Sequence, residues 1–190
     1  VQAHLADLAM GRTIFEVEFR PAGDAVSCPA VGLDEVEFLV SPNPGEEPRP
    51  LRRIASGGEM SRIALALKLV LHAERGAALV FDEVDAGVGG PTAAKLGRKL
   101  HEASRFNQTF CVTHVPQIAA CADHHFLVEK EAQADRTTAG IRPLPEPDRV
   151  EEIARMLGGE TLTEASRDAA RQLLNDSAAP APHAKGRKTH

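Results

Sequence analysis

Hydrophobic and polar residues alternate in two stretches near the start of the chain, residues 13–20 and residues 34–40. This pattern is typical of a β-strand that buries one face and exposes the other. In the first stretch, Phe15, Val17 and Phe19 share the apolar face. We therefore predict a half-buried β-hairpin, or two adjacent antiparallel strands, in this part of the chain.

The middle of the chain has a different pattern. Residues 77–81 and 109–112 are short apolar runs without alternation, as in strands that are covered on both faces. Helical patterns precede them at residues 63–71 and 91–104. Because the order helix, strand, helix, strand favours a parallel βαβ arrangement, we predict an α/β fold with a largely parallel sheet flanked by helices.

The remaining segments place antiparallel strands and further helices around this sheet. Before the central sheet, the patterns predict the end of a longer helix in residues 1–10 and a loop at 41–50. After it, they predict a short helix at 116–122 and an antiparallel edge hairpin at 125–130 and 137–144. Two amphipathic helices are predicted at 150–157 and 163–174. Residues 177–190 are rich in alanine, proline and basic residues, so we expect a disordered basic tail.

Composition narrows the class of protein. The chain has 190 residues and a formal net charge of −5, so global electrostatics do not favour binding to nucleic acid or membranes. No apolar run approaches the ~20 residues of a membrane span. The three cysteines lack C-x-x-C spacing, which suits a reducing cytosol. We expect one cytoplasmic domain, and the first residue, Val1, suggests a segment of a longer protein.

Ser56-Gly57-Gly58-Glu59 lies directly before the apolar helix and has the spacing of a capping box. A capping box alone is usually structural. The two glycines allow a ligand to approach the backbone, and a helix N-terminus with a serine hydroxyl can bind an anion. This motif therefore leaves a structural cap and a phosphate site as alternatives, while Arg62 suits a surface or helix-pairing position.

Asp82 and Glu83 follow the predicted strand at 77–81. Ligands of parallel sheets bind at the carboxyl ends of the strands, and a buried acidic pair is costly unless it binds a cation or polarises water. Asp82 would then hold Mg²⁺, and Glu83 would activate an attacking water molecule. The alternative is a solvated turn.

His114 follows the next predicted strand and precedes Pro116, which would start a helix. If the two strands are adjacent and parallel, His114 lies at the same edge as Glu83 and can donate a hydrogen bond to a terminal phosphate. The alternative is a structural histidine. The sequence leaves this choice open for His114 alone.

The order of these pieces resembles ABC-type ATPases. Residues 54–62 (IASGGEMSR) resemble the signature motif, residues 80–85 (VFDEVD) resemble Walker B and the D-loop, and residues 112–114 (VTH) resemble the switch histidine. Residues 81–90, 113–120 and 149–159 (RVEEIARMLGG) resemble the RecN family of bacterial recombination and repair proteins, which is related to the structural-maintenance-of-chromosomes proteins.

The resemblance implies a split ATPase head. In that family an N-terminal lobe carries Walker A, a long coiled coil follows, and a C-terminal lobe carries the signature and Walker B. Residues 11–176 would be the C-terminal lobe and residues 1–10 the end of the coiled coil. Because no P-loop precedes the signature, we expect the chain by itself not to hydrolyse ATP.

The resemblance also implies roles for individual residues. Asp82 would serve Mg²⁺, Glu83 would be the general base, and His114 would sense the γ-phosphate of ATP in its own head. The nucleotide-contacting residues implied by the signature and the D-loop are Ser56, Gly57, Gly58, Glu59 and Asp85. The signature residues would contact ATP bound by a second head, so two heads would dimerise around ATP.

The implied function is ATP-driven DNA binding or tethering during double-strand break repair, in the bacterial nucleoid. Two other functions are weighed against it. In an ABC transporter domain, Walker A lies upstream in the same domain, whereas the 55 residues before Ser56 hold no P-loop, and transporters usually have glutamine at the position of Glu59. A non-catalytic interaction module is disfavoured for the complete protein because both Asp82 and Glu83 are present.

Overall fold

The computed structural model describes residues 1–21, 32–43, 45–54, 56–71, 76–133, 136–159 and 161–178. The chain forms two compact units. The first unit comprises Val1–Val88 and Ala103–Val112, and the second comprises Gly89–Glu102 and Thr113–His190.

The first unit contains an antiparallel sheet, two helices and a parallel strand pair. Its elements are α1 (Gln2–Asp7), β1 (Ile14–Pro21), β2 (Asp34–Ser41), β3 (Arg49–Pro50), a 3₁₀ turn (Leu51–Arg53), α2 (Gly57–Leu71), β4 (Ala78–Phe81) and β5 (Gln108–Cys111). The predicted helix in residues 1–10 is thus shorter than expected. Leu5 and Leu8 are fully buried, and α1 packs against α2.

Strands β1 and β2 form the predicted antiparallel pair. Their register aligns Phe15 with Val40, Val17 with Phe38 and Phe19 with Val36, which brings the apolar residues together across the two strands. The two-residue strand β3 pairs with β2 inside the segment that was predicted to be a loop. Pro50 is tolerated there because an edge strand does not need every backbone N–H.

The apolar face of this hairpin is covered at one end only. Val40 is 1% exposed, whereas Val36 is 55% exposed and Phe19 is 66% exposed. The predicted half-buried hairpin is therefore found near Val40, and its far end presents an open apolar surface.

Strands β4 and β5 pair in parallel, with Ala78 opposite Gln108 and Phe81 opposite Cys111. The helix that connects them, α3, spans Gly90–Ser104, so the predicted βαβ arrangement is confirmed. The expectation that both faces of these strands are covered is wrong for this chain, because Val80, Phe110 and Val112 are 70%, 45% and 60% exposed. An apolar run predicts that a strand is buried, but it does not indicate which polypeptide segment packs against the strand.

The second unit is built from most of α3 and from five further elements. These are α4 (Pro116–Ala119), β6 (Phe126–Gln133), β7 (Arg136–Pro143), α5 (Glu146–Gly158) and α6 (Glu164–Ala178). The antiparallel pair β6 and β7 confirms the predicted hairpin, but within the described residues it forms a two-stranded sheet of its own and is not the edge of a larger one. The core joins α4, α5 and α6 through Ala119, Ala120, Ile153, Ala154 and Ala170.

Helices α5 and α6 differ from their predicted limits. Helix α5 begins earlier, at Glu146, because the first turn of a helix tolerates Pro147. Helix α6 continues to Ala178, so the start of the predicted tail is helical. Residues 179–190 of that tail lie outside the described residues.

The fold is mixed α/β, as predicted, but parallel pairing within the described ranges is confined to β4 and β5. Strands β6 and β7 are separated by only two residues, which is too short for a parallel crossover, so they pair antiparallel. In the described part of the chain, no helix combines the length and apolar character that crossing a membrane requires.

Candidate functional site

The N-terminus of α2 is capped by Ser56. The backbone N–H of Glu59 donates a hydrogen bond to Ser56 Oγ at 3.4 Å, and the N–H of Met60 donates to the Ser56 carbonyl at 3.0 Å. This is the serine half of the predicted capping box. The apolar residues that follow lie in the core of the first unit, with Ile63, Leu65 and Ala66 fully buried.

Asp82 and Glu83 leave the carboxyl end of β4 with exposed side chains. The N–H of Glu83 donates to Asp82 Oδ1 at 2.9 Å. Glu83 has a φ of +55°, a left-handed backbone that is uncommon for a residue other than glycine and costs about 1–3 kcal/mol. The turn then continues, since the N–H of Ala86 donates to the Glu83 carbonyl at 3.0 Å.

Two side chains of α2 hold this turn in place. Ser61 Oγ donates to the Asp82 carbonyl at 2.9 Å. Arg62 Nη1 donates to the carbonyls of Val84 at 3.1 Å and Ala86 at 2.9 Å. Arg62 is only 8% exposed, so the expected surface or helix-pairing position is wrong. The residue instead connects the signature-like helix to the acidic turn.

The two glycines of the motif lie directly against the same turn. A Cβ atom at Gly57 would lie 2.6 Å from Glu83 Oε2. A Cβ atom at Gly58 would lie 2.8 Å from Ala86 Cβ and 2.9 Å from the Glu83 carbonyl. The glycines were predicted to make room for a ligand. The structure adds a second reason for them, which is the close approach of Glu83 and Ala86 in the same chain.

Burial and charge shift two pKa values here. Burial lowers the pKa of Arg62, and the carboxylates of Glu59 and Asp85 oppose that shift. Burial raises the pKa of Cys111 to about 12, and the negative charges of Asp85 and Asp82 add to the effect. The acidic turn therefore creates a negative field at the ends of β4 and β5.

His114 belongs to the second unit and has an exposed side chain. Its neighbours are well ordered by hydrogen bonds, because the Val115 N–H donates to Thr113 Oγ1 at 3.0 Å and α4 begins directly afterwards. The expected placement of His114 beside Glu83 stays a prediction.

The donor chemistry at the end of β4 suits Mg²⁺. The cation prefers oxygen ligands, keeps several waters, and is usually bound by one or two carboxylates together with substrate phosphates. Asp82 and Glu83 are exposed carboxylates. Within the described ranges, no group of three or more His, Cys, Asp or Glu side chains is arranged to hold a metal, so a cation here requires oxygens from another source.

The fold is similar to part of the head domains of Smc proteins. An Smc head domain with a coiled coil, derived from Pyrococcus yayanosii, is similar to the chain with a TM-score of 0.54 and 18% identity, and the match covers 80% of this chain and 27% of that one. An Smc head domain with an extended coiled coil, derived from Pyrococcus furiosus and bound to the C-terminal domain of ScpA, is similar with a TM-score of 0.50 and 19% identity. That match covers 81% of this chain and 36% of the other. No family model matches the chain.

Sequence comparison shows a stronger similarity to a second group of proteins. DNA repair protein RecN of Halalkalibacterium halodurans is 41% identical over 177 residues, which are 92% of this chain and 31% of that protein. RecN of Bacillus subtilis is 36% identical over 190 residues, covering 93% of this chain and 33% of that protein. The chain is therefore similar to RecN proteins over nearly all of its own length, and it spans about a third of the length of the curated relatives it matches.

The close approach at Gly58 makes a stability prediction. Because its Cβ would meet the Glu83 carbonyl, which is backbone, we expect Gly58→Ala to lower the free energy of unfolding by about 1–3 kcal/mol despite the higher helix propensity of alanine. Gly89→Ala is the control, since nothing lies within 4 Å of a Cβ there. Urea unfolding measures both variants. Equal stabilities would contradict the packing of α2 on the turn.

The raised pKa of Cys111 makes a prediction about pH. The ordinary thiol pKa is 9.0 and the folded value is about 12, so above pH 9 the unfolded state loses this proton while the folded state keeps it. The stability should therefore fall as pH rises from 9 to about 12. Cys111→Ser removes this titration, and its free energy of unfolding should fall less steeply than that of the parent chain. Parallel curves in urea titrations would contradict the burial of the thiol.

Proposed function

We propose that the chain is the C-terminal lobe of an ATP-hydrolysing head that acts in DNA repair. The observation that carries this is the packing of the signature-like start of α2 against the Asp82–Glu83 turn, through Arg62 and the two glycines. If Ser56 were only a helix cap and Asp82–Glu83 only a solvated turn, the two would not have to pack against each other. The RecN relatives, which are DNA repair proteins, support the same reading.

The residues of the turn would divide the chemistry between them. Asp82 would bind Mg²⁺ and Glu83 would take a proton from the attacking water. Magnesium supplies charge stabilisation for the transferred phosphoryl group. The exposed carboxylates at the end of a parallel strand support these roles. His114 would donate a hydrogen bond to the terminal phosphate.

The signature residues would bind a different nucleotide, held by a second head. Ser56, Gly57 and Glu59 lie in the first turn of the 15-residue helix α2 and its cap, where unpaired N–H groups favour an anion. Asp85 would belong to the same contact as part of the D-loop. Because Gly57 lies against the Glu83 carboxylate, a phosphate bound by one motif would be sensed by the other. ATP binding and dimerisation would thus be linked.

The open apolar surfaces suit the missing half of such a head. The far end of the β1–β2 hairpin exposes Phe19 and Val36, and the parallel pair exposes Val80 and Phe110. Exposed apolar area of this kind commonly marks an interface. The partner we propose is the lobe that carries Walker A. The assembled protein would bind DNA in the bacterial nucleoid.

The general-base role is tested in the complete protein. We expect Glu83→Gln to slow ATP hydrolysis by about 10²–10⁴-fold, because the amide cannot accept the proton, and to trap a dimer with bound ATP. Phosphate release and light scattering during gel filtration measure the two effects. Glu102→Gln is the control, since its carboxylate pairs with Lys99 on an exposed face of α3. Equal hydrolysis by both variants would overturn the proposal.

The interface with the Walker A lobe is tested by separate expression of the two lobes. We expect Phe19→Asp and Val80→Asp each to weaken their association by about ten- to a hundredfold, since each removes one apolar side chain that the proposed interface would bury. Calorimetry measures the affinity. Ala139→Asp, at an exposed position of β7, should have no effect. Unchanged affinity in both interface variants would exclude these surfaces.

A further inference from the structure

Residues 149–159 resemble the family as closely as the nucleotide motifs do, yet the proposed chemistry uses none of them. The first of these residues, Arg149, lies on α5 and is 8% exposed. Its Nη2 donates hydrogen bonds to the carbonyls of Ala119 at 3.4 Å and Ala120 at 3.0 Å, and also to the carbonyl of Ala122. One buried cation thus binds two carbonyls at the end of α4 and a third in the turn that follows it.

Helix α4 needs such a partner. It has only four residues, Pro116–Ala119, and a helix that short is not stable by its own hydrogen bonds. The last carbonyls of any helix lack partners within the helix, and here Arg149 supplies them. Ile153 and Ala154, also on α5 and fully buried, pack against Ala119 and Ala120. Helix α5 therefore holds the end of α4 by both polar and apolar contacts.

The other end of α4 is joined to His114. The Ala119 N–H donates to the Val115 carbonyl at 3.1 Å, and the Ala120 N–H donates to the Pro116 carbonyl at 2.9 Å. The Val115 N–H donates to Thr113 Oγ1, and His114 lies between these two residues. A series of hydrogen bonds therefore connects the segment bound by Arg149 to Thr113 and Val115, the two residues next to His114.

The charge of Arg149 is directed mainly at these carbonyls. The nearest carboxylate, on Glu146, lies 3.7 Å away and is 83% exposed, so that pair is weak in water. Arg149 Nε is buried and has no hydrogen-bond partner among the described residues. A buried arginine kept for helix packing alone could be replaced by an apolar residue. Its hydrogen bonds to three backbone carbonyls indicate a more specific role, which is to hold the segment that carries His114.

We propose that Arg149 is a positioning residue for His114: it holds the carboxyl end of α4 and thereby sets where the His114 side chain stands at the nucleotide. The part of this proposal that concerns ATP depends on the proposed function. The part that concerns the order of residues 113–122 does not. A displacement of about 1 Å in a catalytic group can reduce a rate by up to about 10²-fold, so a residue that never touches the nucleotide can still limit hydrolysis.

The test is a double-mutant cycle in the complete protein. Arg149→Met removes the donors and keeps an apolar stem, and we expect it to lower kcat for ATP hydrolysis by about ten- to a hundredfold with little change in KM. In a His114→Ala background the same change should lower kcat less than about twofold, because the group that it positions is already gone. Arg149→Lys should recover part of the rate, since an ammonium still offers three donors.

Arg142→Met is the matched control, because Arg142 lies on β7 with half of its side chain exposed and pairs with the exposed carboxylates of Glu129 and Asp148. Hydrogen exchange without nucleotide gives a second readout. Arg149→Met should speed exchange in residues 113–122 and not in α2, whereas Arg142→Met should change neither.

The outcomes separate the two proposals. Equal losses of kcat in both backgrounds, or unchanged exchange in residues 113–122, would overturn the positioning role. Unfolding of both Arg149 variants would also overturn it, since Arg149 would then be a folding residue. If exchange changes as expected while neither Glu83→Gln nor His114→Ala affects hydrolysis, the positioning of α4 stands and the proposed function fails.

Discussion

The first unit depends on one buried arginine. Arg62 Nη1 donates to two backbone carbonyls of the loop after β4, at 3.1 and 2.9 Å, and hydrogen bonds from a charged donor contribute about 1.5–3 kcal/mol. Without that guanidinium, two carbonyls near the core would lose their partner, and α2 would lose its fixed distance to the acidic turn. Glycine is needed at position 58 because a Cβ there would lie 2.9 Å from the Glu83 backbone carbonyl, whereas at position 57 the close atom is the end of the Glu83 side chain.

The short distance has a consequence for how the site responds to a ligand. Ser61 and Arg62 of α2 donate hydrogen bonds to the backbone carbonyls of Asp82 and Val84, on both sides of Glu83, so the start of α2 and the backbone of this turn are joined. Under the proposed function, a phosphate at Ser56 would therefore lie close to the turn that carries Glu83. The left-handed backbone of Glu83 is the kind of strain that persists only when the structure around it is firmly held.

The second unit also contains a buried arginine that binds the backbone carbonyls of a neighbouring segment. Arg149, like Arg62, is 8% exposed and donates to the carbonyls of a neighbouring segment. The Nε atom of each is buried and has no hydrogen-bond partner in the part of the chain that the structure describes. Arg62 holds the turn that follows β4, and Arg149 holds the short helix that follows β5. Each arginine orders the backbone beyond the carboxyl end of one parallel strand, which is where ligands of such sheets bind.

The sequence by itself determined the elements and their order: the antiparallel pair β1–β2, the parallel pair β4–β5, the capped start of α2, and the family to which the motifs belong. These follow from local periodicity and from residue types at fixed spacing. Only the tertiary structure decided that Arg62 is buried and that Val80 is open to solvent. The partners of Arg62 lie 22 and 24 residues away in the chain, and the cover of an apolar strand depends on which element packs on it. The burial of Arg62 and the exposure of Val80 cannot be predicted from a local sequence pattern, because each depends on how elements distant in the chain pack together.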